Sequence, residues 1–100
     1  MNRTIRTVHE ASNEFAEAVR WYEEQRQGLG AEFYESVVET TARIQDNPAC
    51  GPPVSKDERT RRLLVSRFPY QVVYRLREDE IVIVAVAHVK RRPKYWRGRT

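Results

Sequence analysis

Residues 61–88 read RRLLVSRFPYQVVYRLREDEIVIVAVAH, and this stretch decides the fold. Three β-rich runs, Arg61–Arg67, Tyr70–Arg77 and Glu80–His88, are separated only by the turn pairs Phe68-Pro69 and Glu78-Asp79. Connections this short join antiparallel neighbours. Ile81–Ala87 is the longest unbroken apolar run in the chain. It is apolar on both pleat faces, which predicts a central strand.

Upstream, Pro48, Gly51, Pro52 and Pro53 mark Pro48–Thr60 as a connector. Before it the apolar period is helical. Leu29, Phe33, Val37, Thr41 and Ile44 recur at three or four residues, and Asn47-Pro48 ends that run. Ala11, Phe15, Ala18, Val19 and Tyr22 share a face of an earlier helix beginning near Glu10, with Glu10, Glu14 and Glu17 at its N-terminal end. Gly28 is the expected C-cap between the two helices, which then form an antiparallel hairpin. Arg3–His9 alternates enough to read as a short first strand, with an edge position open to it. The order is β-α-α-β-β-β. The expected fold is α+β: one antiparallel sheet with the N-terminal helical hairpin on one face. The expected core holds Phe15, Val19, Leu29, Phe33, Val37, Ile44, Leu64, Val73, Ile83 and Ala85. Trp21 and Tyr22 are both expected to pack on the sheet or on the second helix. A ligand-stacking role would require one of these rings to be exposed beside a basic face.

One hundred residues make one domain, 1–100, and exclude a multidomain enzyme, a (β/α)8 barrel or a complete dinucleotide-binding fold. No apolar run is long enough to span a membrane, and the N-terminus lacks a signal-peptide stretch, so a cytoplasmic protein is expected. Charge is uneven. Residues 1–50 hold five basic and nine acidic side chains, a net of −4, and residues 51–100 hold thirteen and five, a net of +8. From His88 onward there are six Lys or Arg and no acid, with Pro93, Tyr95 and Trp96 among them. This basic aromatic tail, 88–100, is built to meet an anionic partner.

Several enzyme chemistries are missing. There is no glycine-rich phosphate loop and no Gly-x-Ser-x-Gly elbow. His9, His88 and Cys50 do not stand at metal-ligand spacing, and Cys50 has no adjacent base to activate it. No metal and no cofactor are expected. The lone cysteine excludes an intrachain disulfide.

Glu17-Ala18-Val19-Arg20-Trp21-Tyr22-Glu23-Glu24-Gln25 is followed by Gly28-Leu29-Gly30 and Phe33; then come Asn47-Pro48 and Gly51-Pro52. Further on stand Arg61-Arg62, Arg67-Phe68-Pro69-Tyr70 and Val73-Tyr74-Arg75, and last Ala85-Val86-Ala87-His88 with Arg91, Pro93, Tyr95 and Trp96. In this order and spacing the segments resemble the RelE/ParE superfamily of toxin–antitoxin toxins, also called plasmid-stabilisation proteins. The resemblance implies a toxin held silent by a cognate antitoxin. ParE-like members poison DNA gyrase and are not nucleases, whereas RelE-like members cleave mRNA on the ribosome. The Trp21–Gln25 segment and the His88–Trp96 ending look more like the ParE side. The alternative is a metal-independent, ribosome-dependent endoribonuclease, and a third reading is a decayed toxin that only binds its antitoxin.

The site residues follow from these alternatives. For gyrase contact they are Lys90, Arg91, Arg92, Tyr95 and Trp96, since Arg, Tyr and Trp are the usual interface anchors. The equal alternative for Trp96 is that it folds back as a lid on the sheet. Truncation before Pro93 is expected to abolish toxicity and leave the fold intact. For the antitoxin, whose acidic and apolar residues would fold onto a sheet edge or a groove beside the helices, they are Arg61, Arg62 and Arg75. For a nuclease they are Arg67, His88, Arg91 and Tyr95, which would supply proton transfer and cations for the phosphorane. The oligomeric state is left open.

Overall fold

The polar alternation of Thr4–Thr7 forms the first strand, β1, in a computed structural model that describes residues 3–54, 56 and 59–100. It is followed by α1 (His9–Gln25), α2 (Leu29–Asp46), β2 (Thr60–Leu64), β3 (Tyr70–Leu76) and β4 (Glu80–His88). Ser55, Asp57 and Glu58 of the expected connector, with Met1 and Asn2, lie outside the described residues.

The sheet order is β1-β4-β3-β2. The two expected hairpins form: β2 pairs antiparallel with β3, and β3 with β4. The sheet is mixed, however, because β1 lies parallel to β4, Thr4 opposite Glu80 through Thr7 opposite Ile83. The helical hairpin carries the chain across one face, so β2 and β1 end up on opposite edges. β4 is a central strand, beside β3, and every residue from Ile81 to Ala87 is buried.

Opposite Val73 stands Ala85, and opposite Tyr74 stands Ile83, so Val84 is an extra residue on β4. This bulge reverses the pleat of β4. Ile83 and Val86 therefore share the helix-side cleft with Val72, Phe15 and Val37. Val73 and Ala87 face the other side, beside Trp96.

The helices are joined differently from expectation. Arg26, in extended conformation, caps α1, and Gly28, at φ 91°, starts α2. That left-handed geometry favours glycine. Glu23 reaches over from α1 and accepts hydrogen bonds from the Gly28 and Gly30 N–H groups at 2.9 and 3.0 Å. It thereby satisfies donors that the first turn of α2 would leave open. Phe33 is fully buried at the centre of an aromatic cluster, its ring 4.9 Å from Tyr22, 4.9 Å from Tyr70 and 5.1 Å from Phe68.

Two packing expectations are corrected. Leu64 is 57% exposed, because it ends edge strand β2 opposite Gln71, on the side away from the helices. Trp21 is 55% exposed: it sits about 100° around α1 from Tyr22, outside the buried stripe of Ala11, Ala18 and Tyr22. Strand β2 also stops short of the expected Arg67, where the chain turns with Arg67 at φ 70°.

Candidate interaction surface at the end of the sheet

The chain reverses after β4. The Val89 N–H donates to the Pro69 carbonyl and the Arg91 N–H to the His88 carbonyl, both at 2.9 Å, while His88 Nδ1 accepts from the Lys90 N–H at 3.1 Å. Lys90, Arg91, Arg92 and Lys94 are all exposed on this turn. Beyond it the chain folds onto the sheet face opposite the helices. Trp96 is buried, 7% exposed, with the Arg75 guanidinium 5.9 Å from its ring centre. Of the two readings open for Trp96, the lid is the one observed, and the ring is not on offer as an anchor.

Glu14 of α1 secures the tail. One carboxylate oxygen accepts from the Val86 N–H at 3.1 Å and pairs with Arg99 at 3.0 Å; the other accepts from the Tyr95 hydroxyl at 2.7 Å. Arg99 also donates to the Val84 carbonyl at 3.0 Å, and Arg75 donates to the Arg99 carbonyl. β1 ends at Thr7, opposite Ile83, so these bonds satisfy the edge of β4 that β1 no longer covers. Arg91 stacks on the outer side of Tyr95, 4.0 Å from its ring centre.

The proposed nuclease residues are only partly gathered. His88 and Arg91 line one open groove of about 560 Å³, with Glu14, Glu17, Trp21, Tyr22, Pro69 and Tyr70. Tyr95 lies beside it, committed to Glu14. Burial, then the Glu14 hydrogen bond, raise its phenol pKa far above the ordinary value. Arg67 is elsewhere, paired to Glu32 at 2.9 Å. Arg26 and Arg67 hold the Glu32 carboxyl below the usual range through hydrogen bonds and charge.

Arg61, Arg62 and Arg75 do not form one surface. Arg61 donates to the Ala49 and Gly51 carbonyls at 3.3 and 2.8 Å and so fastens the connector. Arg75 lies under the tail. Arg62 is exposed and donates to Gln71 Oε1 at 3.2 Å. The outer edge of β2 is partly taken, since the Val54 N–H donates to the Thr60 carbonyl and the Arg62 N–H to the Pro52 carbonyl. Glu14 and Trp21, which the sequence places on the first helix without assigning either to a site, are central to this region.

Burial raises the phenol pKa of Tyr22, Tyr70, Tyr74 and Tyr95. The folded chain thus holds these protons more tightly than the unfolded chain does. Their stabilisation is complete below about pH 10 and is lost as pH rises through the higher folded values. Urea midpoints should hold steady up to about pH 10 and fall above it, and Tyr95→Phe should reduce that fall.

Among the described residues no cluster of His, Cys, Asp or Glu is placed to hold a metal ion, and no helix is long and apolar enough to cross a membrane. A family model for the ParE toxin of the type II toxin–antitoxin system parDE matches residues 5–93. The fold is similar to that of a solved structure described as the chromosomal ParDE TA system from P. aeruginosa. The TM-score is 0.75 at 16% identity, over 86% of this chain and 95% of that one. A comparison with curated proteins found no match. The family match takes in both helices, the sheet from Ile5 onward and the basic turn as far as Pro93, so the chain belongs to the ParE toxin family and is the toxin of a type II toxin–antitoxin pair, with a cognate antitoxin as its partner.

Proposed function

We propose that this toxin inhibits DNA gyrase by protein–protein contact through the turn that carries Lys90, Arg91, Arg92 and Lys94. One observation carries the reading: the four cations are exposed on a segment pinned at both ends, by β4 before it and by Tyr95, Trp96 and Arg99 after it. A fixed basic surface loses little entropy on docking and speeds encounter with an acidic partner such as gyrase bound to DNA. The nuclease alternative is less well supported, because Arg67 is bound to Glu32 away from the groove and the Tyr95 hydroxyl is held by Glu14. For the antitoxin, the apolar cleft of about 280 Å³ between the helices and the sheet, lined by Phe15, Val37, Val38, Val72, Ile83 and Val86, suits the apolar side chains of a segment that folds on binding.

The test mixes purified toxin with purified gyrase and supercoiled DNA. Stabilised cleavage complexes are expected. Lys90→Glu, Arg92→Glu and Lys94→Glu together should raise the toxin concentration required by about tenfold or more, with a nearly unchanged melting temperature, because the three side chains are exposed. Ribosome-dependent mRNA cleavage with no effect on gyrase would refute this reading.

A further inference from the structure

Trp21 is, at 55%, the most exposed aromatic residue, with Tyr34 next at 51%; of the two, only Trp21 lines the groove beside the basic turn. Its ring meets Tyr22 edge-on at 5.1 Å, so its orientation is supported from below. With Tyr22, Tyr70, His88 and Arg91 it lines the groove of about 560 Å³. Tyr70 and His88 are in edge-on contact at 5.4 Å. Of the two acids in the groove, Glu14 is occupied by Val86, Tyr95 and Arg99, which leaves Glu17 beside Trp21. The aromatic wall is therefore continuous, through Arg91, with the basic turn.

We propose that Trp21 is an anchor of the target-binding surface, and that the groove between Trp21 and Arg91 receives an acidic loop of the target protein. An apolar side chain of that loop would stack on Trp21 and Tyr70, while its carboxylates meet Arg91 and the neighbouring Lys90. The occupant is argued from charge and continuity. Arg91 lines the groove and also belongs to the basic turn, so a partner docked on the cations lies across the groove mouth. Exposed Trp set in a pocket with Tyr and Arg is the composition of an interface hot spot. This assignment rests on the gyrase reading above and adds to it a specific anchor on α1.

The test compares the full-length toxin with Trp21→Ala and Trp21→Phe, using purified gyrase and, separately, the co-expressed antitoxin. Trp21→Ala should raise the toxin concentration needed for gyrase inhibition by about tenfold or more. Antitoxin co-purification and the melting temperature should be unchanged, and Trp21→Phe should recover most of the activity. In toxin carrying 7-azatryptophan, iodide should quench Trp21 but not buried Trp96, and gyrase should protect it. Wild-type inhibition with an equally active Trp21→Ala, or with Trp21 still open to iodide in the complex, overturns the anchor and leaves the gyrase reading standing. Loss of antitoxin binding with gyrase inhibition intact also overturns it, by giving the groove to the antitoxin. A wild-type toxin with no effect on gyrase refutes both.

Discussion

A chain ending at Arg92 is expected to lose its cooperative thermal transition. Within the full-length chain, Trp96→Ala alone should lower the melting temperature by on the order of 20 °C. This reverses the expectation that removing the tail spares the fold. Trp96 is 7% exposed and belongs to the same buried cluster as Val73, Ala85 and Ala87. It covers the face of the sheet that the helices do not reach. Deleting a buried Trp side chain costs about 3–5 kcal/mol, against a total of roughly 5–15 kcal/mol for a domain of this kind. Truncation removes more: the Tyr95 and Arg99 bonds to Glu14, and the cover over β4 beyond Thr7. Circular dichroism melts of the two variants check this. A truncated chain that melts cooperatively near the wild-type temperature would show that the tail is an appendage. The functional consequence is that loss of toxicity on truncation reports unfolding, and only surface changes such as those at Lys90, Arg92 and Lys94 isolate target contact.

Why the tail was hard to read lies in its chemistry. The strands announce themselves because burial on both faces makes Ile81–Ala87 wholly apolar, and the helices because burial on one face repeats at three or four residues. Residues 89–100 follow neither period. Their turns place one aromatic, Trp96, inward and leave the neighbouring cations outside, and no repeat marks which is which. The parallel pairing of β1 was hidden for a different reason. Thr4–Thr7 is adjacent in sequence to α1 but pairs with Glu80–Ile83, and short-connection reasoning speaks only for consecutive strands. Leu64 departs from the expected core because an apolar residue at a strand end reads as core until the edge is known. Trp21 departs from the expected packing because it neighbours Tyr22 in sequence yet lies outside the stripe of Ala11, Ala18 and Tyr22. The candidate site shows the same division. The cations of the basic turn were legible as a charge run. Their fixed geometry was not, because it depends on a carboxylate more than seventy residues earlier in the chain.

That carboxylate had a signal. Ala11, Glu14 and Ala18 stand three and four residues apart, so Glu14 lies within the buried stripe of α1, and an acid there requires partners. It has three: the Val86 N–H, the Tyr95 hydroxyl and the Arg99 guanidinium. Glu14→Ala should therefore destabilise the fold by about 3 kcal/mol, because it strands a backbone donor and a cation whose side chain is only 16% exposed. Glu14→Gln should cost less, about 1–2 kcal/mol, since its carbonyl can still accept one of these bonds while the charge is lost. Urea unfolding of both variants measures the difference. A double-mutant cycle between Glu14→Ala and Arg99→Ala should return a coupling of about 1–3 kcal/mol. Were Glu14→Ala as stable as wild type, the tail would be held by Trp96 and by the Arg99 and Arg75 bonds to backbone carbonyls, and the basic turn would owe nothing to α1. If the coupling is found, the helix that carries Trp21 and the turn that carries Lys90–Lys94 are mechanically one unit. Mutations on α1 that never touch the target would then weaken inhibition by loosening the cations.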